Sequence, residues 1–343
     1  IRQQIEYGFA FDVQKAQNLY NTLLEEREAI TQKLQEVFPP IITGYYKTSS
    51  KKYGYKKGDP KLLEFNPNSG KQVADRLMSL GWKPIVYTPT GVPKTSAEIL
   101  KHVDLEEAQL IVKLQELTKL IGFIGNGSNA WLKTVEEDNR IHGQVNPMGT
   151  ITSRMTHYKP NLGQIPKTGD LGEQCRELFI VPQGKVLVGT DASQLELRCL
   201  AHYLEPWDNG AYAKEIVSGD IHTMNQKAAG LPDRPLAKKF IYAFIYGAGV
   251  DELTRITGHN GSQLKKRFFE KIPAIKQLLD YVITMAAIKG YIITIDGRRI
   301  PCSSQHKALN YLLQSTGSII VKRALVILKK DLEKMGLHQG KEW

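Results

Sequence analysis

The sequence predicts a mixed α/β (α+β) fold, mostly helical around a small sheet, and three observations carry this. The first third holds two long stretches with apolar residues at helical spacing. In the middle, Val186-Leu187-Val188 reads as a strand running into a helix. Towards the C-terminus, Asp296-Gly297 forms a hairpin signal between two short β-like runs, with long helical stretches on either side.

Residues 13 to 38 read as one helix. Asp12 is placed as N-cap, and Val13, Ala16, Leu19, Tyr20, Leu23, Leu24, Ile30, Leu34 and Val37 recur at helical spacing until Pro39-Pro40 stops it. A second helix is expected from Ala97 to about Gly125 on Leu100, Val103, Leu110, Ile111, Leu114, Leu117 and Ile121, so the pair suggests an extended helical hairpin. Between them, Tyr45-Tyr46-Lys47 and Lys51-Lys52-Tyr53-Gly54-Tyr55-Lys56-Lys57 interleave lysines and aromatics. Such a run can hold phosphates and stack on bases, or be a solvated loop tip, and the sequence does not choose. Val181 to Thr190 reads as a strand entering a helix near Ser193. Asp233 to Tyr246 reads as a helix ended by Gly247-Ala248-Gly249, and Leu264 to Gly290 as a helix broken at Pro273. Tyr291 to Pro301 reads as a hairpin, and Ala308 to Met335 as a long, mostly buried helix.

A length of 343 residues suggests two or three folding units, and 41% hydrophobic with 24% charged residues is the composition of a folded globular protein. No uninterrupted apolar run reaches about 18 residues, because Leu312 to Leu328 is broken by Gln314, Lys322 and Arg323, so no membrane span is expected. Cys175, Cys199 and Cys302 lack paired spacing, which argues against a disulfide framework or zinc ribbon and for a reducing, cytoplasmic setting. The chain starts Ile-Arg-Gln-Gln without a leader pattern and reads as a piece of something longer. Forty-six basic against thirty-five acidic residues leave a net charge of +11, which favours a polyanionic partner, nucleic acid first.

Two segments carry chemistry. In Gly189-Thr190-Asp191-Ala192-Ser193-Gln194-Leu195-Glu196-Leu197-Arg198, Asp191 leaves a strand end as a hard oxygen donor suited to Mg²⁺, with the Ala192 carbonyl beside it. The same segment also fits an S-x-x-E capping box, in which Glu196 caps the helix and Asp191 is a turn residue. The second segment places Arg234, Lys238, Tyr242 and Tyr246 at four-residue steps on one helix, within one broad stripe. Two cations in the first turns oppose the helix dipole, which suggests an external phosphate group there; the tyrosines farther along offer faces for a base and sugar.

Arg-x3-Lys-x3-Tyr-x3-Tyr-Gly at 234 to 247, preceded by Asp-x-Ser-Gln-x-Glu-Leu-Arg at 191 to 198, resembles the family A (DNA polymerase I-like) DNA polymerases, with the nearest likeness to those of short-tailed bacteriophages. Further similar segments occur in the family's order: Thr150-Ile-Thr-Ser-Arg154, Pro160-Asn161-Leu162-Gly163-Gln164-Ile165-Pro166, Gly172-Glu-Gln-Cys-Arg176, Asp296-Gly-Arg298 and Ala308-Leu-Asn310 with Gln314. The resemblance implies a right-hand polymerase fold: a helical thumb at 1–138, an antiparallel-sheet palm at 139–204 and 291–343, and helical fingers at 205–290. It implies template-directed DNA synthesis with primer–template DNA and dNTP as partners and two Mg²⁺ ions as cofactors.

By the same resemblance, Asp191 and Lys238 are catalytic and Asp191 with Ala192 holds metal. His222, Arg234 and Lys238 hold the triphosphate, Glu196 with Tyr242 excludes a ribose 2′-hydroxyl, and Tyr246 guards the template-base position. Arg154, Asn161, Gln164, Arg176, Arg298, Asn310 and Gln314 touch primer–template. Departures from the family pattern are also visible. Ser153 stands where glycine is usual before the arginine, and a short Lys/Tyr loop occupies the region where phage relatives carry a thioredoxin-binding insertion, so no thioredoxin-type factor is expected. No His-Asp-Glu motif follows the last helix, so the second metal-binding carboxylate is missing and this chain alone is expected to be inactive. A single-subunit RNA polymerase and a non-catalytic nucleic-acid binder are the alternatives. The gate carboxylate Glu196 and the seven-residue gap between Lys238 and Tyr246 favour DNA synthesis, and the retained Asp191, Arg234 and Lys238 argue against a pure binder.

Overall fold

The computed structural model describes residues 1–338 and divides into two compact units. One comprises Gly8–Gly143 with Lys159–Lys185; the other comprises Ile1–Tyr7, Gln144–Tyr158 and the chain from Val186 onward.

In the first unit the expected helix runs Val13–Val37, and the Asp12 carboxylate accepts from the Lys15 amide at 2.9 Å, satisfying one of the free N-terminal donors. Its buried residues Ala16, Leu19, Leu23, Ile30 and Leu34 pack in one core with Ile111, Leu114 and Leu117 of Glu106–Ile121. The second expected helix is interrupted. A single turn at Ala97–Leu100 is followed by a non-helical stretch, and the helix restarts at Glu106, where Glu106 and Glu107 favour a first turn. Across the break the Val103 amide donates to the Leu100 carbonyl and the Leu105 amide to the Val103 carbonyl, and the Gln109 side chain adds a second bond to Val103 (2.7 Å) and to Leu100 (3.4 Å). The Lys/Tyr segment is a two-stranded hairpin, Ile41–Tyr45 against Pro60–Leu63, and its loop stacks Tyr46 on Tyr55 at 3.6 Å between ring centres.

In the second unit, helices Leu195–Asp208, Ile221–Ala229, Arg234–Ile245, Val250–Thr257, Gly261–Lys271 and Pro273–Lys289 precede the hairpin Tyr291–Ile293/Arg299–Pro301 and the helix Ala308–Lys334. The break at Pro273 and the turn at Gly297 fall where the sequence placed them. One core unites Leu197, Leu200, Phe240, Phe244, Phe268, Leu278 and Leu312. Gly317 lets the last helix approach Leu195–Asp208 closely: a Cβ there would lie 3.1 Å from a Leu195 methyl.

Three expectations need correction. Val181–Thr190 is not a strand; Val186, Leu187 and Val188 are 83%, 77% and 77% exposed in irregular chain. β-Structure requires a partner ladder, and among the described residues none of the two-stranded antiparallel sheets includes this run. The last helix is buried only over its first third; Ile320, Val321 and Leu325 to Leu328 are exposed. By length and composition alone Gln305–Lys334 is long and apolar enough to cross a membrane, but its first turns pack in the protein core. Finally, the helix after Asp191 starts at Leu195 rather than at Ser193.

Candidate nucleotide and primer–template site

The Arg234–Ile245 helix begins because the Asp233 carboxylate accepts from the Leu236 amide at 2.7 Å, with Pro235 in the first turn. Ala237, Phe240, Ile241, Phe244 and Ile245 face the core, which leaves Arg234, Lys238, Tyr242 and Tyr246 on the other side. Lys238 is exposed and makes no ion pair among the described residues. Arg234 is held by Asp220 through two contacts, 2.8 and 3.2 Å. Asp220 in turn caps Ile221–Ala229, accepting from the His222 amide and the Thr223 hydroxyl. The Arg234 guanidinium, then the Thr223 hydroxyl, hold the Asp220 carboxyl far below the usual carboxylate range. Sequence reasoning missed Asp220. Its available signal was an N-cap aspartate one residue before Ile221-His222, but the pairing across to Arg234 is a tertiary fact.

His222 is 3% exposed, and its Nδ1 has no hydrogen-bond partner among the described residues. Burial, then the charges of Arg234 and Lys238, push its pKa down, so the ring is neutral at pH 7. Its centre lies 6.4 Å from that of Tyr242, and Tyr242 lies 6.3 Å from Tyr246, giving a row of three rings beside the two cations. Opposite this row, the Tyr246 hydroxyl donates to Glu196 at 3.4 Å. Burial, followed by the negative charge of Glu196, raises both phenols.

The capping-box reading of Glu196 does not hold. Gln194, with φ +54°, precedes the helix and offers no side-chain cap, while the Ser193 carbonyl accepts from Arg198 at 2.9 Å. Glu196 is therefore in the first turn, free to face Tyr246. At the other end of the row, Gly247 has φ +85°, and a Cβ there would lie 2.5 Å from the His306 carbonyl oxygen. Asn310 donates to the Tyr246 carbonyl at 3.4 Å, and its buried Oδ1 has no partner among the described residues.

The expected DNA contacts fall in both units. Arg154 is exposed, its guanidinium without a hydrogen bond among the described residues, and its charge acts on Tyr246. Ser153 before it has φ +61°, a left-handed conformation that accounts for glycine being usual there. Arg298 contacts Asp296 at 2.6 Å and the Ser153 hydroxyl, and its second terminal guanidinium nitrogen is buried without a hydrogen-bond partner among the described residues. Gln314 accepts from Thr152 at 3.3 Å. Asn161, Gln164 and Arg176 belong to the other unit. There, the Asn161 side chain accepts from the Gly163 amide at 3.1 Å, and Arg176 ends the helix Gly169–Arg176.

The donor set for metal is incomplete. Asp191 and Ala192 lie exposed in irregular chain, and among the described residues no group of three or more His, Cys, Asp or Glu side chains is placed to hold an ion. One carboxylate does not meet the need of a hard cation for several charged oxygens, so the residues present do not fit the expected pair of Mg²⁺ ions.

A cation-bearing helix face, a row of rings and an opposed carboxylate thus lie in the same unit as the exposed Arg154 turn. The description of DNA polymerase family A matches residues 46–340, and the chain belongs to that family. Over 99% of its length it is 35% identical to the DNA-directed DNA polymerase of Escherichia phage T7. To that of Enterobacteria phage T3 it is 34% identical over the same share. It spans 59% of the length of each of these curated relatives. The POL domain of Pol1 from M. smegmatis, solved in complex with DNA primer–template and dNTP, has a TM-score of 0.75 at 21% identity, covering 96% of this chain and 58% of that one. That likeness shows the fold, so both the expected family and the mixed α/β polymerase fold hold. Family A polymerases generally use divalent metal ions.

Proposed function

We propose that this chain serves template-directed DNA synthesis, in which dNMP from a dNTP is added to a primer 3′-hydroxyl with release of pyrophosphate, in phage replication within a host cytoplasm. The partners are primer–template DNA and dNTP. In this reading 1–138 is the thumb, 139–204 with 291–343 the palm and 205–290 the fingers; residues 339–343 lie outside the described residues. Phosphoryl transfer depends chiefly on positioning and charge neutralisation. Here Lys238 and Arg234 neutralise the triphosphate, the rings of His222, Tyr242 and Tyr246 flank the nucleotide, and Glu196 fills the space a 2′-hydroxyl would need. Asp191 alone does not supply the charged oxygens that Mg²⁺ needs.

The observation that carries the reading is the exposed Lys238 ammonium at the start of a helix, in line with Tyr242 and Tyr246 and paired with no carboxylate among the described residues. Lys238→Ala removes one charge-assisted hydrogen bond, worth about 1.5–3 kcal/mol, which is roughly 10-fold to 150-fold in affinity. The expected result is that dNTP binding to the primer–template complex weakens by that factor while primer–template binding is unchanged. Weakened primer–template binding with unchanged dNTP binding would overturn the assignment.

A further inference from the structure

Gln144–Asn146 and Thr156–Tyr158 form a short antiparallel pair, and the turn between them carries Arg154. Its local bonds include the Ser153 amide to the Thr150 carbonyl (2.9 Å), the Arg154 amide to the Thr150 hydroxyl (2.9 Å), the Gly149 amide to the Arg154 carbonyl (3.1 Å) and a contact between the Thr150 and Thr152 hydroxyls (3.1 Å). These close the turn but do not favour φ +61° at Ser153, a conformation that is unfavourable for a residue with a Cβ. Something outside the turn has to hold it.

The last helix supplies the hold. Gln314, Ser318 and Lys322 recur at four-residue steps, so they form one stripe. Gln314 accepts from the Thr152 hydroxyl at 3.3 Å. The Ser318 hydroxyl and the Lys322 ammonium both donate to the Ser153 carbonyl, each at 2.6 Å. From the neighbouring hairpin, Arg298 grips the Ser153 hydroxyl while paired with Asp296. Ser153 is 4% exposed inside this grip, whereas Arg154, the next residue, is exposed with its guanidinium uncommitted among the described residues.

We propose that Lys322 is a positioning residue: with Gln314 and Ser318 it locks the Thr150–Arg154 turn so that the Arg154 guanidinium is presented to primer–template DNA. The proposal rests on the reading of Arg154 as a DNA contact. Lys322 itself spends its ammonium on a backbone carbonyl, and acts on DNA only through Arg154.

The test is a double-mutant cycle in the full chain, read as affinity for a labelled duplex with a recessed 3′ end at constant salt, with urea midpoints for each variant. Arg154→Ala is expected to weaken binding about tenfold or more, the loss of one charge-assisted contact. Lys322→Met is expected to weaken it nearly as much, and the double variant no more than Arg154→Ala alone. Lys322→Arg, which can still donate to the carbonyl, is expected to restore most of the affinity. Additive losses would show Lys322 binding DNA directly and overturn the proposal alone, as would a Lys322→Met variant that binds normally. An Arg154→Ala variant with unchanged affinity would instead refute the DNA role of Arg154 on which the proposal rests.

Discussion

Replacing Gly247 by alanine tests the join between the ring row and the last helix. The left-handed φ of +85° costs a residue with a Cβ roughly 1–2 kcal/mol. The added Cβ would also sit 2.5 Å from the His306 carbonyl oxygen, a backbone atom, so either the end of the Arg234–Ile245 helix or the Gln305–Lys307 turn has to move. Overpacking of this kind typically costs about 1–3 kcal/mol. The sum, about 2–5 kcal/mol, is a large share of the roughly 5–15 kcal/mol that stabilises a typical protein. Any such movement also separates the Tyr246 carbonyl from Asn310, which are 3.4 Å apart. Urea unfolding is the assay, with Gly249→Ala as control: Gly249 has φ −70° and open space around its Cβ position. The control is expected to lose less than about 1 kcal/mol. A Gly247→Ala loss below about 0.5 kcal/mol, the range of neutral surface changes, would refute the packing argument.

Two further predictions concern the same face. Because Glu196 is not part of a capping box, Glu196→Ala should change the unfolding free energy measured in urea by less than about 0.5 kcal/mol. The same variant should raise rNTP binding relative to dNTP in the primer–template complex; lost stability with unchanged sugar preference would restore the capping role. His222 has a folded pKa below its unfolded value of about 6.5. Below that pH the unfolded chain binds the proton first, so stability should fall as pH drops through about 6.5 and level off once the folded pKa is passed. In His222→Gln this part of the pH dependence should vanish from urea unfolding measured between pH 7.5 and 5.5.

Much of the fold and the site was readable in the residues alone. Asp12 and Asp233 act as N-caps, Pro39-Pro40 and Pro273 as breaks, and Asp296-Gly297 as a turn, because each works through its own backbone and near neighbours. The 234–246 stripe was readable for the same reason, since four-residue spacing places side chains on one face of a helix wherever that helix sits. Family membership also followed from short motifs in order, and the profile match over 46–340 agrees with it. What the residues alone left undecided depends on partners distant in the chain. Val186-Leu187-Val188 has strand-forming residues but pairs with no strand among the described residues, so propensity did not become structure. Ser193 and Glu196 match a cap by spacing, yet the left-handed Gln194 starts the helix later and turns Glu196 toward Tyr246, fifty residues on. Asp220 reads locally as a cap, and only packing of its helix against Arg234–Ile245 makes it the counter-charge of Arg234. Local backbone preferences could be read from the sequence by itself; which carboxylate meets which cation, and which turn is held against its own preference, was decided by contacts between residues that only folding brings together.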